Sequence, residues 1–165
     1  MDIILPRASA IGELLKSRGE TVAVAESSSG GLVSAALLAV PGASAYFLGG
    51  AVVYTAEARA TFLGITPERM AGLRSSSEPY ARLLARTLRE RFGTSWGIAE
   101  TGAAGPSGNR YGDAAGHTCL AVSGPVELVR TIETGSAYRA QNMRDFATAL
   151  LDLMAEALEA EGAFP

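Results

Sequence analysis

The run Thr21-Val22-Ala23-Val24-Ala25 alternates β-branched and small apolar residues and leads into Glu26-Ser27-Ser28-Ser29-Gly30-Gly31. Behind it, residues 31–39 have the Leu and Ala content of a packed helix that ends before Pro41-Gly42. A buried strand joined to a helix by one short Ser/Gly turn narrows the possible architectures more than any other stretch, because both elements must be covered by further layers. Two readings of the turn are open. It is a Ser-capped helix start with glycines for close packing, or it offers hydroxyls and unobstructed backbone N–H groups where a helix dipole favours an anion. It matches neither a Walker loop nor the dinucleotide fingerprint GxGxxG.

The pattern continues on both sides. Ile11, Leu14 and Leu15 among polar neighbours predict an amphipathic helix over residues 8–18 that stops at Gly19. Residues 46–54, rich in Val and aromatic side chains, read as a second strand with Gly49-Gly50 at a bulge or close backbone contact, and a helix near 56–63 follows. Thr66-Pro67-Glu68 reads as the start of a short helix. Ser77-Glu78-Pro79 reads as the start of a longer one reaching about Phe92, with Tyr80, Leu83, Leu84 and Leu88 on its apolar face. Residues 96–99 read as a strand, the Gly-rich 101–116 as loop, and 118–122 and 126–132 as a hairpin across Ser123-Gly124-Pro125. The last helix carries Met143, Phe146, Leu150, Leu153, Met154 and Ala157 on one face, and Asp152, Glu156 and Glu159 on a solvated one. Strand–helix alternation followed by a hairpin predicts an α/β fold. The expected form is a three-layer α/β/α sandwich with a mixed, mostly parallel five-stranded sheet, in a single domain over residues 1–165.

Composition excludes several function classes. Formal net charge is −3 with scattered basic residues, so nothing supplies the cationic stripe that direct nucleic-acid binding needs. No apolar run approaches the ~20 residues of a membrane span. A single Cys119 cannot close an internal disulfide, and no basic segment followed by a long apolar one opens the chain, so a soluble, cytoplasmic protein is expected. His117 and Cys119 are expected on opposite faces of one strand, a poor pair of zinc ligands, and no metal is expected. His117 reads as a core or edge residue, and Trp96 and Cys119 as core.

In such sheets ligands sit beyond the carboxyl ends of strands, which directs attention to the loops after Ala25, Tyr54 and Ala99. Tyr54 places a phenol at a strand end and Arg59 a guanidinium about one helical turn later; taken alone, a packed ring and a surface charge explain them. Thr101-Gly102-Ala103-Ala104-Gly105-Pro106 is a second glycine loop behind a strand, and two such loops in one α/β domain converge naturally on one crevice.

Together the loops resemble a known family. AESSSGG is similar to the AESCTGG of the CinA C-terminal domain family, and VPGASAYFLGGAVVYTAEAR to its PGSSA.F..G.V.YSNEAK. Thr101 to Pro106 resembles its TGIAGP, Ser77-Glu78 its VSE, and Gly116-His117-Thr118 its VGTV, in the same order over roughly residues 8–158. The resemblance implies an amidohydrolase that converts nicotinamide mononucleotide to nicotinate mononucleotide and ammonia, in pyridine nucleotide salvage. It implies no cofactor, a small nucleotide as partner and a homo-oligomer. By resemblance, Ser27 is the nucleophile, assisted by Tyr54 and Arg59. Ser28, Ser29, Gly30 and Gly31 are expected to hold an anion, and a phosphate is expected against Thr101, Gly102 and Gly105 or against a basic residue of the last helix, Arg144 or Arg139.

The chain departs from the pattern at one decisive place, where Arg59 replaces a lysine. An amine can lose its proton and act as base to a serine; a guanidinium with a pKa above ~12 cannot. Three outcomes are open. Arg59 keeps Tyr54 partly ionised as the base for Ser27, or the pocket binds a nucleotide without turnover, or Glu26 or Glu57 serves as base for a different amide or ester. An interaction protein tied to DNA uptake or repair is a further reading, to which the acidic charge adds no support.

Overall fold

The computed structural model describes residues 1–163. Strand β1 (Val22–Glu26) is buried along its whole length, and its alternation sorts the helices into two layers. Val22 and Val24 pack with Trp96, Ile98, Leu120 and Val122 against helices α1 (Leu5–Arg18), α2 (Leu32–Leu38) and α5 (Arg139–Gly162). Ala23 and Ala25 point the other way, with Ala99, Cys119 and Ala121, toward α3 (Ala56–Leu63) and α4 (Glu78–Phe92). The small side chains on that second face let α4 lie close. A Cβ placed on Gly97 would collide with the carbonyl oxygen of Ala85 in α4, so that position needs glycine for backbone approach.

The sheet has the order β2-β1-β3-β4-β5, with β2 spanning Phe47–Val52, β3 Trp96–Ala103, β4 His117–Ser123 and β5 Leu128–Glu133. β1 pairs in parallel with both β2 and β3, whereas β3–β4 and β4–β5 are antiparallel. β4 alone therefore runs against the other four strands. The architecture is the expected three-layer α/β/α arrangement with a mixed sheet. Of the bulge or close backbone contact expected at Gly49-Gly50, the register irregularity is present and the close contacts are with side chains. The register slips by one residue beside the pair, Val22 facing Phe47 and Ala23 facing Gly49, and the Phe92 ring and the Ser34 hydroxyl occupy the space that Cβ atoms would need.

Helix ends follow local chemistry. Gly19, Gly64 and Gly93 close α1, α3 and α4 in the left-handed conformation, and Ser77 caps α4 by accepting from the Tyr80 amide. The acidic face of α5 is ion-paired at the surface, Asp152 with Arg7 at 2.6 Å and Glu156 with Arg130 at 2.7 Å.

Three local expectations are corrected. The segment after Thr66 makes turns and no helix: Met70 donates to Thr66 and Pro67, and Gly72, at φ +77°, ends the turn before a helix can propagate. Residues 101–103 are strand rather than loop, because Thr101, Gly102 and Ala103 pair with Cys119, Thr118 and His117. His117 and Cys119 share a face, as residues two apart in a strand must, with Sγ 3.7 Å from Nε2. No described helix is long and apolar enough to cross a membrane.

Candidate functional site

The three loops singled out in the sequence meet at the carboxyl ends of β1, β2 and β3. Ser27, Tyr54, Arg59, Thr101 and Gly102 line one cleft of about 310 Å³. A second lobe of about 230 Å³ adjoins it and is bounded by Ser28, Tyr54, Gly102, Gly105 and Arg139. Tyr54, Gly102 and Asn109 border both lobes. Among the described residues the walls carry the guanidinium groups of Arg59, Arg110 and Arg139 and no carboxylate, which in a chain of net charge −3 makes the cleft a local cationic site. A larger depression of about 580 Å³, lined by Val52, Phe62 and Phe92 among others, is mostly apolar and contains none of the candidate residues.

The serine turn is held from below by two buried carboxylates. Glu26, the last residue of β1, accepts from the amides of Gly31, Val33 and Ser34 and from the hydroxyls of Ser29 and Ser34. Glu100 of β3 accepts from the amides of Ser27 at 3.1 Å and Ser29 at 2.8 Å, and from the hydroxyls of Ser28 and Thr118. A carboxylate at a helix start is the anion that the dipole and the unpaired amides favour. Of the groups expected to hold an anion, the Ser28 hydroxyl, the Ser29 amide and hydroxyl and the Gly31 amide thus face the protein's own carboxylates, and the Gly30 amide donates to the Ser27 carbonyl. Gly30 and Gly31, at φ +68° and +98°, shape the turn and do not border the cleft, and a Cβ on Gly30 would meet Met143. Glu26 is fully engaged and has no lone pair directed at Ser27; Glu57 lies exposed in the first turn of α3, outside the cleft walls.

Ser27 is different from its neighbours. Among the described residues no partner engages its hydroxyl, and the Ser28 amide is the one N–H between residues 27 and 34 without an acceptor. The hydroxyl and the amide belong to consecutive residues bordering adjoining lobes.

Arg59 and Tyr54 do not meet as expected. Nη1 of Arg59 donates to the Ser75 hydroxyl at 2.9 Å, and its guanidinium lies over the Tyr80 ring, 5.3 Å from the centroid. Burial pushes the Tyr80 phenol up from its ordinary value, with Arg59 opposing. The guanidinium that reaches Tyr54 is Arg139, whose Nη2 donates to the phenol oxygen at 3.2 Å while Nη1 donates to the Gly105 carbonyl at 2.5 Å. Of the two arginines of α5, Arg139 is the one that borders the cleft. Arg144 is bonded to Gln141 and borders a separate depression with residues 1–4.

Sequence reasoning missed much of the far wall: Ser75, Ser76, Tyr80, Asn109, Arg110 and Tyr111. Tyr80 looked like one apolar helix position among several. The segments around Ser75 and Asn109 had no periodicity, so only their hydroxyl, amide and cationic side chains could have marked them. Glu100 was the most legible omission, a lone carboxylate inside the apolar strand Trp96-Gly97-Ile98-Ala99. His117 is buried, with Nδ1 2.5 Å from Glu133 and Nε2 2.8 Å from the Ser76 carbonyl.

Comparison with known proteins identifies relatives of the chain and of its fold. The chain is 44% identical over 118 residues to a CinA-like protein of Prochlorococcus marinus (strain MIT 9313), covering 72% of this chain and 28% of that protein. It is 48% identical over 101 residues to a CinA-like protein of Synechocystis sp., covering 61% of this chain and 24% of that one. The chain thus spans less than a third of the length of these relatives. Its fold matches a competence-damaged protein (CinA) superfamily protein of Klebsiella pneumoniae 700603 with a TM-score of 0.88 at 23% identity, over 95% of this chain and 98% of that one. It also matches a competence/damage inducible protein of Agrobacterium tumefaciens with a TM-score of 0.86 at 28% identity, over 94% and 95% of the two chains. The family model for the CinA C-terminal domain matches residues 5–158, and with the shared sheet this assigns the chain to the CinA C-terminal domain family.

Proposed function

We propose that the cleft binds a pyridine mononucleotide and that Ser27 hydrolyses its carboxamide, giving nicotinate mononucleotide and ammonia. The observation that carries this reading is the convergence of Ser27, Tyr54, Arg59 and the Thr101-Gly102 strand end on one cleft with cationic and no acidic walls. The lobe at Gly105 and Arg139 suits a phosphate, and the larger lobe leaves Ser27 beside the ring that bears the amide. The Ser27 oxygen attacks the carboxamide carbon, the Ser28 amide is free to hold the developing oxyanion, and ammonia departs as the acyl-serine forms. Water then cleaves the ester, releasing the acid and restoring the hydroxyl. The Ser27 hydroxyl proton leaves on the nitrogen as ammonia, and the Tyr54 hydroxyl is the wall group that relays it, taking the Ser27 proton as it gives its own to the departing nitrogen, since both buried carboxylates are occupied by amides and hydroxyls.

A second reading, nucleotide binding without turnover, is favoured by one specific observation: no described side chain accepts from the Ser27 hydroxyl, and Arg59 cannot act as a base. Incubating the purified protein with nicotinamide mononucleotide and assaying ammonia and nicotinate mononucleotide separates the two, with Ser27→Ala and Arg59→Lys alongside. Turnover that disappears in Ser27→Ala supports the first reading. A silent wild type that binds the nucleotide and gains turnover as Arg59→Lys supports the second. Turnover that survives Ser27→Ala removes Ser27 as nucleophile.

A further inference from the structure

We infer that His117 is a positioning residue for the cleft, acting through Nε2 on Ser76 so that the adjacent Ser75 hydroxyl presents Arg59 to the ligand. This rests on the reading that the cleft takes a nucleotide, and it adds a residue that borders neither lobe.

The chain of contacts is short. Ser76 is the one described non-glycine residue with positive φ, at +56°, a conformation that an L side chain adopts only when its surroundings impose it. Both of its backbone groups are held: its amide donates to Thr101 Oγ1 at 3.1 Å, and its carbonyl accepts from His117 Nε2 at 2.8 Å. Arg74 Nη1 also approaches that carbonyl at 3.3 Å and Cys119 Sγ at 3.5 Å, but His117 is the shortest and a buried donor. Ser75, one residue earlier, receives Arg59 at 2.9 Å. The rigid strand β4 thus fixes an irregular segment that forms one wall of the cleft, as a positioned site residue requires of its support.

The two ring nitrogens have separate tasks. A carbonyl oxygen only accepts, so Nε2 carries a proton; Nδ1 faces the Glu133 carboxylate. The charged groups around the ring are Glu133 from β5, Asp113 with its oxygen 3.6 Å from Nε2, and Arg74 paired to Asp113, while Cys119 is the thiol beside it on β4. When the ring is neutral, the proton stays on Nε2, because the Ser76 carbonyl is buried whereas the Glu133 side chain is 57% exposed and can turn to water. Nε2 therefore serves the cleft, and Nδ1 serves only stability.

Glutamine and asparagine separate these tasks, since a glutamine amide nitrogen reaches the Nε2 position and an asparagine one the Nδ1 position. Titration calorimetry with nicotinamide mononucleotide on wild type, His117→Gln, His117→Asn and Glu133→Gln is the test, with crystal structures of the two His117 variants. The expected result is affinity within about twofold of wild type for His117→Gln and Glu133→Gln, and about tenfold weaker for His117→Asn. The crystal structures should show the Ser76 turn and the Ser75–Arg59 bond kept in His117→Gln and lost in His117→Asn. Equal affinity of the Gln and Asn variants, or a Ser75–Arg59 bond unchanged in His117→Asn, overturns the inference. If wild type binds no nucleotide, the functional reading fails by itself, and the two crystal structures still decide whether His117 places Arg59.

Discussion

Glu26 and Glu100 stand side by side on neighbouring parallel strands, one residue beyond the paired Ala25 and Ala99, and divide the amides of the serine turn between them. Both are completely buried, and each is surrounded by hydrogen-bond donors. Their acceptor capacity is used to shape the turn, which leaves the Ser27 hydroxyl free of the network.

Replacing Glu100 by Gln should destabilise the protein by about 2–4 kcal/mol, because an amide NH₂ would face groups that now donate, stranding buried donors. Urea denaturation checks this. An unchanged midpoint would mean that the turn keeps its shape without the carboxylate.

The three serines should separate cleanly. Ser27→Ala should change stability by less than about 0.5 kcal/mol, as expected for a hydroxyl without a partner, while lowering amide hydrolysis by at least about 10²-fold. Ser28→Ala, which removes a buried hydrogen bond to Glu100, should cost about 1–3 kcal/mol. Parallel melts and ammonia assays distinguish them.

Arg139→Met should weaken nucleotide binding by about tenfold or more and flatten its salt dependence, because the proposed phosphate contact is charge-assisted and would be lost. Arg144→Met should leave affinity unchanged, because its side chain borders a different depression. Isothermal titration at two ionic strengths reads both.

The His117 clamp carries a pH signature. Burial alone would lower the imidazole's affinity for its proton, but the hydrogen bonds to Glu133 and Ser76 and the charge of Asp113 outweigh it, so the pKa is raised above its ordinary 6.5. A raised folded-state value means that the ring's contribution is complete below about pH 6.5 and is lost as pH rises through the folded value. The stability advantage of wild type over His117→Gln should therefore shrink between mildly acidic and alkaline pH. Melts across that range test it, and an advantage that grows with pH would contradict the assignment.

Gly97→Ala should cost about 1–3 kcal/mol by forcing α4 away from β3, because the added Cβ would meet backbone rather than a movable side chain. Denaturant titration measures it directly.

The layer structure was legible because its signals are local and periodic. Thr21 to Ala25, the apolar face around Leu84 and Leu88, and Phe146 to Ala157 each declare an element and its buried side through spacing alone, and Gly49-Gly50 marked the place where the register slips. The segment after Thr66 misled because a good cap followed by proline starts a helix only if enough residues propagate it, and Gly72 comes too soon. Strand β3 ran further than Thr101 because pairing with β4 decided it, a partner that no local window contains.

For the site, the sequence by itself determined which loops to examine, since glycine and serine behind a strand mark places where backbone must bend and groups lie open. Only the tertiary structure decided what each group faces. It turned Ser28 and Ser29 onto Glu100 and Glu26, gave Tyr54 to Arg139 instead of Arg59, placed Arg59 on Ser75 and Tyr80, and moved Arg144 out of the cleft. The physical reason is that hydrogen bonds and ion pairs are satisfied between residues distant in sequence, over a few ångströms that depend on strand register and helix rotation. Residue type fixes what a side chain can donate or accept, while packing fixes which partner it finds.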